Sequence, residues 1–285
     1  MIGKLGRFAA SAIALGATPS AQWALFWRQT KNVRVRLGLA TYHPREVFSV
    51  ETRIGTLHFR DNFGDITNVP GLLHEQVYRP PVVVGDGTIL DVGANIGLAA
   101  AWLRHTYPGR PVHCFEPLAE NAALVPLNCP GAHVHNVAVG AAAGTVALAV
   151  DADAVMASTI DYARAAGTRT IDVVTLDEHA RAHGIERVAF LKIDTEGMEL
   201  DVLRGATDTL ARTGVIAMET HERHRHDEVL ALLRAHGFRI DGERVEGRTG
   251  FVFASRLATV AGSASDGVAD SGVDARHREI HHGDR

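Results

Sequence analysis

Thr88-Ile89-Leu90-Asp91-Val92-Gly93-Ala94-Asn95-Ile96-Gly97 sets the fold class of this 285-residue chain. A short apolar run enters Gly93 and Gly97, and a helical apolar pattern over 96–106 follows. That order predicts a strand, a sharp turn and a helix. Glycines there permit the turn and let a ligand approach the backbone closely. The helix start adds free N–H groups. A nucleotide-like ligand is therefore expected at the carboxyl end of this strand.

The loop also bears on which ligand. Asn95 stands where the dinucleotide pattern G-x-G-x-x-G needs its second glycine, and a Walker A lysine is missing. Asp91 would repel a phosphate but suits an ammonium group. S-adenosylmethionine carries an ammonium and a sulfonium and no phosphate, so the loop favours it over NAD. A second anchor, Phe115-Glu116-Pro117, lies nineteen residues past Gly97. A carboxylate at a strand end can accept hydrogen bonds from ribose hydroxyls, a device that NAD enzymes share.

Outward from this unit the pattern alternates. Strands are expected at 88–92, 111–116, 132–137, 188–193 and 214–219, and helices at 96–106, 118–127, 175–183, 199–211 and 225–236. Such alternation predicts an α/β fold with a mostly parallel sheet and helices on both faces. Segments 145–150 and 157–174 are β-like interruptions, and 238–241 with 249–255 reads as an antiparallel edge hairpin. Residues 1–45 read as one or two helices with a loop at Gly38, 47–61 as a hairpin around Arg53-Ile54-Gly55, and 68–78 as a short helix before Pro80-Pro81. Lys4 and Arg7 ahead of Phe8–Ala17 resemble a weak secretory signal, but an amphipathic helix is the expectation. Trp23, Phe26 and Trp27 look like packing residues of a lid over the substrate. Past Ser255 the hydrophobic periodicity stops, and a disordered tail is expected from 258 to 285.

The fourth expected strand ends in Lys192-Ile193-Asp194-Thr195-Glu196-Gly197-Met198-Glu199, with three acids at the rim where ligands bind. The fifth ends in Glu219-Thr220-His221. Glu196 and His221 are the candidate bases, and Asp194 can orient cofactor or acceptor. His221, His224 and His226 form an H-x-x-H-x-H cluster whose spacing fits no common zinc pattern, so no metal is expected.

Composition narrows the classes. Apolar residues make up 46%, charged residues 22% and the net charge is −4, which gives no case for a nucleic-acid binder. The two cysteines, Cys114 and Cys129, exclude a disulfide scaffold and suit a cytoplasmic setting. No apolar run reaches the ~18 residues of a membrane span.

Taken together, Asp91 to Gly97, Phe115-Glu116-Pro117, Asn136-Val137-Ala138, Thr175-Leu176-Asp177, Lys192 to Gly197 with Glu199, Val202-Leu203, Gly205-Ala206 and Glu219-x-His221 resemble the FkbM family. These are class I S-adenosylmethionine-dependent methyltransferases, typically O-methyltransferases of natural products and sugars. The resemblance spans about residues 72–254. It implies a Rossmann-like seven-stranded sheet whose last strand is antiparallel. It places Asp91, Gly93, Ala94, Asn95 and Gly97 around the methionine part, Glu116 and Pro117 at the ribose, and Asn136, Val137 and Ala138 near adenine, with Asp194 also at the cofactor. The expected division is an N-terminal extension at 1–70, a candidate lid, a methyltransferase domain at 71–257, and the tail. The expected acceptor is a hydroxylated small molecule, and a homodimer is an open expectation. An NAD-dependent oxidoreductase and a non-catalytic cofactor-binding protein are the alternatives.

Overall fold

The computed structural model describes residues 2–151, 157–158, 165–221, 223–247 and 249–256. The expected tail lies outside the described residues. Three helices open the chain: α1 (Ile2–Leu15), α2 (Pro19–Gln29) and α3 (Lys31–Arg36). Thr18 caps α2 by accepting from the Ala21 N–H, with Pro19 in the first turn where its missing N–H costs nothing. The hairpin follows as β1 (His43–Thr52) and β2 (Gly55–Asp61), joined at Arg53-Ile54 as expected. The expected helix at 68–78 is instead a 3₁₀ turn at Asp65–Asn68 and a π turn at Pro70–His74.

The alternating unit then runs β3 (Thr88–Val92), α4 (Leu98–Thr106), β4 (Val112–Phe115), α5 (Ala119–Ala122), α6 (Val125–Asn128), β5 (His133–His135), β6 (Ala138–Val139), β7 (Gly144–Asp151), β8 (Ala157–Ser158), β9 (Ala165–Val174), α7 (Leu176–Ala182), β10 (Val188–Ile193), α8 (Glu199–Arg204), α9 (Thr207–Ala211), β11 (Thr213–His221), α10 (Arg223–Ala235), β12 (Arg239–Glu246) and β13 (Thr249–Ser255). One sheet has the order β12-β13-β11-β10-β3-β4-β5. Strands β11, β10, β3, β4 and β5 are parallel, and β13 runs against its two neighbours. This is the Rossmann-like, seven-stranded, mostly parallel sheet expected from the motifs. The chain leaves β3 toward β4 on one side and returns to β10 on the other, which opens a crevice at their carboxyl ends.

Three expected elements are divided. Asn136 interrupts the third strand, because its Nδ2 donates to the carbonyls of Glu116 and Pro117, and β6 pairs with β9 in a separate sheet, β6-β9-β7-β8. The helix expected at 199–211 breaks at Gly205, where an added Cβ would lie 2.0 Å from the Gly140 carbonyl oxygen. That at 118–127 separates into α5 and α6, with Pro126 in the first turn of the second.

Alternation on the strands builds two cores. Ile89, Cys114, Val215 and Ala217 face a cluster that includes α4, Leu57 and Phe59 of the hairpin, and Leu25 of α2. Leu90, Val92, Ile216 and Met218 face α7 to α10. The N-terminal extension therefore shares one core with the sheet. Trp23 and Trp27 do not pack as lid residues. They are 65% and 48% exposed and stack on each other, with the Arg34 guanidinium over Trp27. Among the described residues, no helix is long and apolar enough to cross a membrane.

Candidate active site

The turn after β3 is built by left-handed backbone, with φ +78° at Gly93, +49° at Asn95 and +87° at Gly97. The Gly93 and Ala94 N–H groups both donate to the Phe115 carbonyl at 2.9 Å, which ties the loop to β4. On its other side the loop meets the end of β10. A Cβ on Gly93 would lie 1.7 Å from the Asp194 carbonyl oxygen. Lys192 crosses beneath, donating from Nζ to the Gly93 carbonyl at 2.6 Å and lying 3.1 Å from Asp91 Oδ1.

This pair corrects the expectation for Asp91. Its carboxylate is fully buried and faces Lys192 rather than the crevice. Burial pushes its pKa up, against the opposing charge of Lys192. Two buried charges of opposite sign carry a desolvation cost that each repays in part to the other. Asp91 thus holds the loop from below.

Glu116 is buried at the end of β4 and does line the crevice. Its Oε1 accepts from the Leu118 N–H at 3.0 Å and Asn121 Nδ2 at 3.1 Å, and its Oε2 accepts from the Asn95 N–H at 2.8 Å. A carboxylate has about four acceptor directions. Three are filled by these protein donors. Asn121 continues outward to the extension. Arg60 donates to Asn121 Oδ1 at 2.6 Å and to Asp65 Oδ1 at 2.9 Å, in a buried ion pair.

The crevice encloses a cavity of about 780 Å³, within the size range of small-molecule sites. One end is apolar, with Phe115, Val137, Ala138, Val139, Leu148 and Met198. Gly93, Asn95, Glu116 and Pro117 lie along its edge, and Asp194, Glu196 and Glu219 form an acidic corner. Arg7 of α1 and residues between Phe63 and Tyr78 also line the cavity. Ala94, Gly97 and Asn136 are outside the cavity wall. Gly97 opens α4, and Asn136 ties the loops after β4 and β5 together.

In the acidic corner the turn after β10 is left-handed, with φ +52° at Glu196 and +111° at Gly197. Glu196 Oε2 lies 3.2 Å from His221 Nε2, and Glu199 Oε1 lies 3.0 Å from His221 Nδ1. Burial opposes charge on His221, but the hydrogen bond to Glu199 and the charges of Glu196 and Asp194 outweigh it and raise its pKa to about 10. With its pKa raised to about 10, His221 holds its second proton at neutral pH and offers no lone pair in that state. The proton-accepting character moves to its neighbours. Burial, only partly offset by His221, raises Glu196 to about 7. Burial together with Asp194 raises Glu219 to about 8. Tyr78 donates to Asp194 Oδ2 at 2.8 Å and contacts Glu219 Oε2 at 3.5 Å.

Asp194, Glu219 and His221 each bring a ligand atom within 4.8 Å of the others. The H-x-x-H-x-H cluster does not converge. His226 is held by Thr220 Oγ1 and Glu243, away from His221, and the His224 side chain lies outside the described residues.

Glu219, Tyr78 and Lys192 are site residues that motif spacing did not single out for a role. Glu219 carried a signal, being the last acid of β11 and two residues before His221. Tyr78 carried none, since 116 residues separate it from Asp194.

Residues 91–240 match the Methyltransferase FkbM domain, which is more than half of the chain. The chain is 30% identical over 209 residues to 31-O-demethyl-FK506 methyltransferase FkbM of Streptomyces tacrolimicus, covering 61% of this chain and 78% of that one. It is 28% identical over 229 residues to methyltransferase sdnD of Sordaria araneosa, covering 66% and 82%. A 28% identical match over 217 residues to AMB antimetabolite synthetase AmbE of Pseudomonas aeruginosa takes in 58% of this chain and only 10% of that protein. Its likeness to a solved fibrillarin pre-rRNA processing protein of Methanococcus jannaschii has a TM-score of 0.44 at 11% identity, covering 75% and 84%. The chain belongs to the FkbM family of methyltransferases, and S-adenosylmethionine is its cofactor.

Proposed function

We propose that this methyltransferase acts on a hydroxyl oxygen of a small molecule held in the acidic corner of the cavity, and that Glu196 and Glu219 share the task of receiving the hydroxyl proton. The observation that carries this reading is the pair itself: two cavity-lining carboxylates with pKa values raised to about 7 and about 8, beside a fixed imidazolium. A base with a pKa near the working pH combines a deprotonated fraction with proton affinity. The name of one relative, 31-O-demethyl-FK506 methyltransferase, supports an oxygen acceptor.

The residues present fit the cofactor. Glu116 has an acceptor direction left for a ribose hydroxyl. The apolar end from Val137 to Val139 with Leu148 suits a base ring. Asp194 and Glu196 offer negative charge to an ammonium and a sulfonium, where a pyrophosphate would be repelled. When bound, S-adenosylmethionine supplies an electrophilic methyl group, so the chain's own work is orientation and proton removal. Tyr78 orients the Asp194 carboxylate. Glu199 and Glu196 hold His221 between them, and the His221 charge keeps Glu196 ionised to a lower pH than burial alone would allow. Residues between Phe63 and Tyr78, across the junction of the extension and the methyltransferase domain, bound the acceptor side.

Isotope-labelled cofactor and a panel of hydroxylated metabolites, read by mass spectrometry, test the reading. The expected product carries the label on oxygen. Labelling on nitrogen or carbon alone would overturn it. Calorimetry should show binding of S-adenosylmethionine and its demethylated product, with no response to NAD.

A further inference from the structure

Behind the ribose side of the cavity, five histidines meet between the sheet edge and α7. Strand β4 turns His113 toward α7, β5 adds His133 and His135, and α7 with its following residue adds His179 and His183 at i and i+4. His113 and His179 are buried and His135 is half-buried. His113 Nδ1 lies 3.2 Å from His135 Nε2 and 3.1 Å from His179 Nε2, and the three nitrogens lie within 4.8 Å of one another. A neutral ring nitrogen holds either one proton or one lone pair. His113 Nδ1 therefore cannot form two good hydrogen bonds at once, and the trio is poorly served by its own protons.

We propose that His113, His135 and His179 form a binding site for a zinc-class divalent cation, separate from the catalytic corner. Three nitrogens at about 2.0–2.1 Å from a tetrahedral zinc stand roughly 3.3 Å from one another. The two short separations seen need only a few tenths of an ångström of adjustment. Imidazole is the ligand type that suits zinc, copper or nickel rather than magnesium or calcium. Burial and mutual repulsion lower the pKa values of the three rings to about 4, about 4 and about 3, so each ring is neutral at neutral pH and has one nitrogen lone pair. Beside them, His183 donates from Nδ1 to the His179 carbonyl at 2.9 Å. A surface groove lined by His113, His133 and His183 gives an ion a path of entry. The Phe115 ring separates the trio from the cavity, with centroids 4.6 Å from His179 and 5.0 Å from His135. A cation there would cross-link β4, β5 and α7 directly behind the Glu116 loop.

The test uses the full chain, stripped with a chelator and titrated with zinc chloride. Wild type should take up one tight equivalent with a rise in Tm of several degrees. His113→Gln and His179→Gln should lose both responses, while Glu219→Gln keeps them. The same uptake in the His179→Gln protein, or no Tm response in wild type, would overturn the site. Should the buried variants fail to fold, the half-buried His135→Gln and X-ray absorption on the zinc-loaded wild type decide it. A shell of three imidazole nitrogens is expected, and a carboxylate-rich shell would overturn the proposal.

Discussion

Glu219 and His221 show how one corner sets its own protonation. Both side chains are largely withdrawn from water, yet one is pushed toward neutrality and the other is locked as a cation, because three carboxylates surround a single imidazole. Replacing Glu196 or Glu219 with Gln should lower turnover by about 10²–10⁴-fold, measured by single-turnover kinetics at saturating cofactor, with cofactor affinity little changed in Glu219→Gln and weakened in Glu196→Gln, which removes a charge that faces the sulfonium. Turnover in wild type should rise with pH through about 7 to 8, as the carboxyls ionise, and fall as His221 loses its proton near 10. These are apparent values of the group as a whole. All three residues hold protons more firmly folded than unfolded. Their contribution to stability is therefore present at low pH and is lost as pH rises through about 7, 8 and 10. Urea unfolding at pH 7 and pH 9 should show a larger loss for wild type than for Glu219→Gln.

At the level of elements, the loops that shape the cavity are held by contacts with no slack. Gly93 combines a positive φ with the Asp194 carbonyl at the place where a Cβ would go. Gly93→Ala should lose about 1–2 kcal/mol to the backbone alone, and more because β3 and β10 must part. Calorimetry should find cofactor binding weakened together with a lower Tm. The hairpin is fastened in a similar way. Asn128 accepts from the His58 N–H at 2.6 Å and donates to the His58 and Ile96 carbonyls at 3.0 and 2.7 Å. Asn128→Ala leaves these groups without their partner and should cost about 1–3 kcal/mol in denaturant unfolding.

For the molecule as a whole, the extension and the sheet act as one body. A buried path runs from the Arg60–Asp65 pair through Asn121 to Glu116. Breaking a buried pair by removing one partner costs about 3–5 kcal/mol. Arg60→Met should therefore lower stability by that order. It should also weaken binding of the demethylated cofactor, because Asn121 loses the group that fixes it. A folded Arg60→Met protein with unchanged affinity in calorimetry would show that the extension does not support the cofactor side.

The parallel sheet, its strand positions and the crevice at β3 were legible in the sequence because they rest on local periodicity and on glycines with a steric duty. Asp194, Glu196, Glu116 and the family motifs were legible for the same reason, since each follows directly on a strand. The orientation of Asp91 was not, because the partner that turns it inward, Lys192, is 101 positions away and meets it only across paired strands. Nor was the protonation of His221, since a pKa depends on burial and on every charge within a few ångströms rather than on spacing along the chain. The entry of Tyr78 into the acidic corner and the meeting of His113, His135 and His179 likewise belong to the folded chain. Local residue order was enough to read the strands, the turns and the family. Which side chains face the cavity, and which of them carry protons, follows from packing, because burial and through-space charge exist only once distant segments come together.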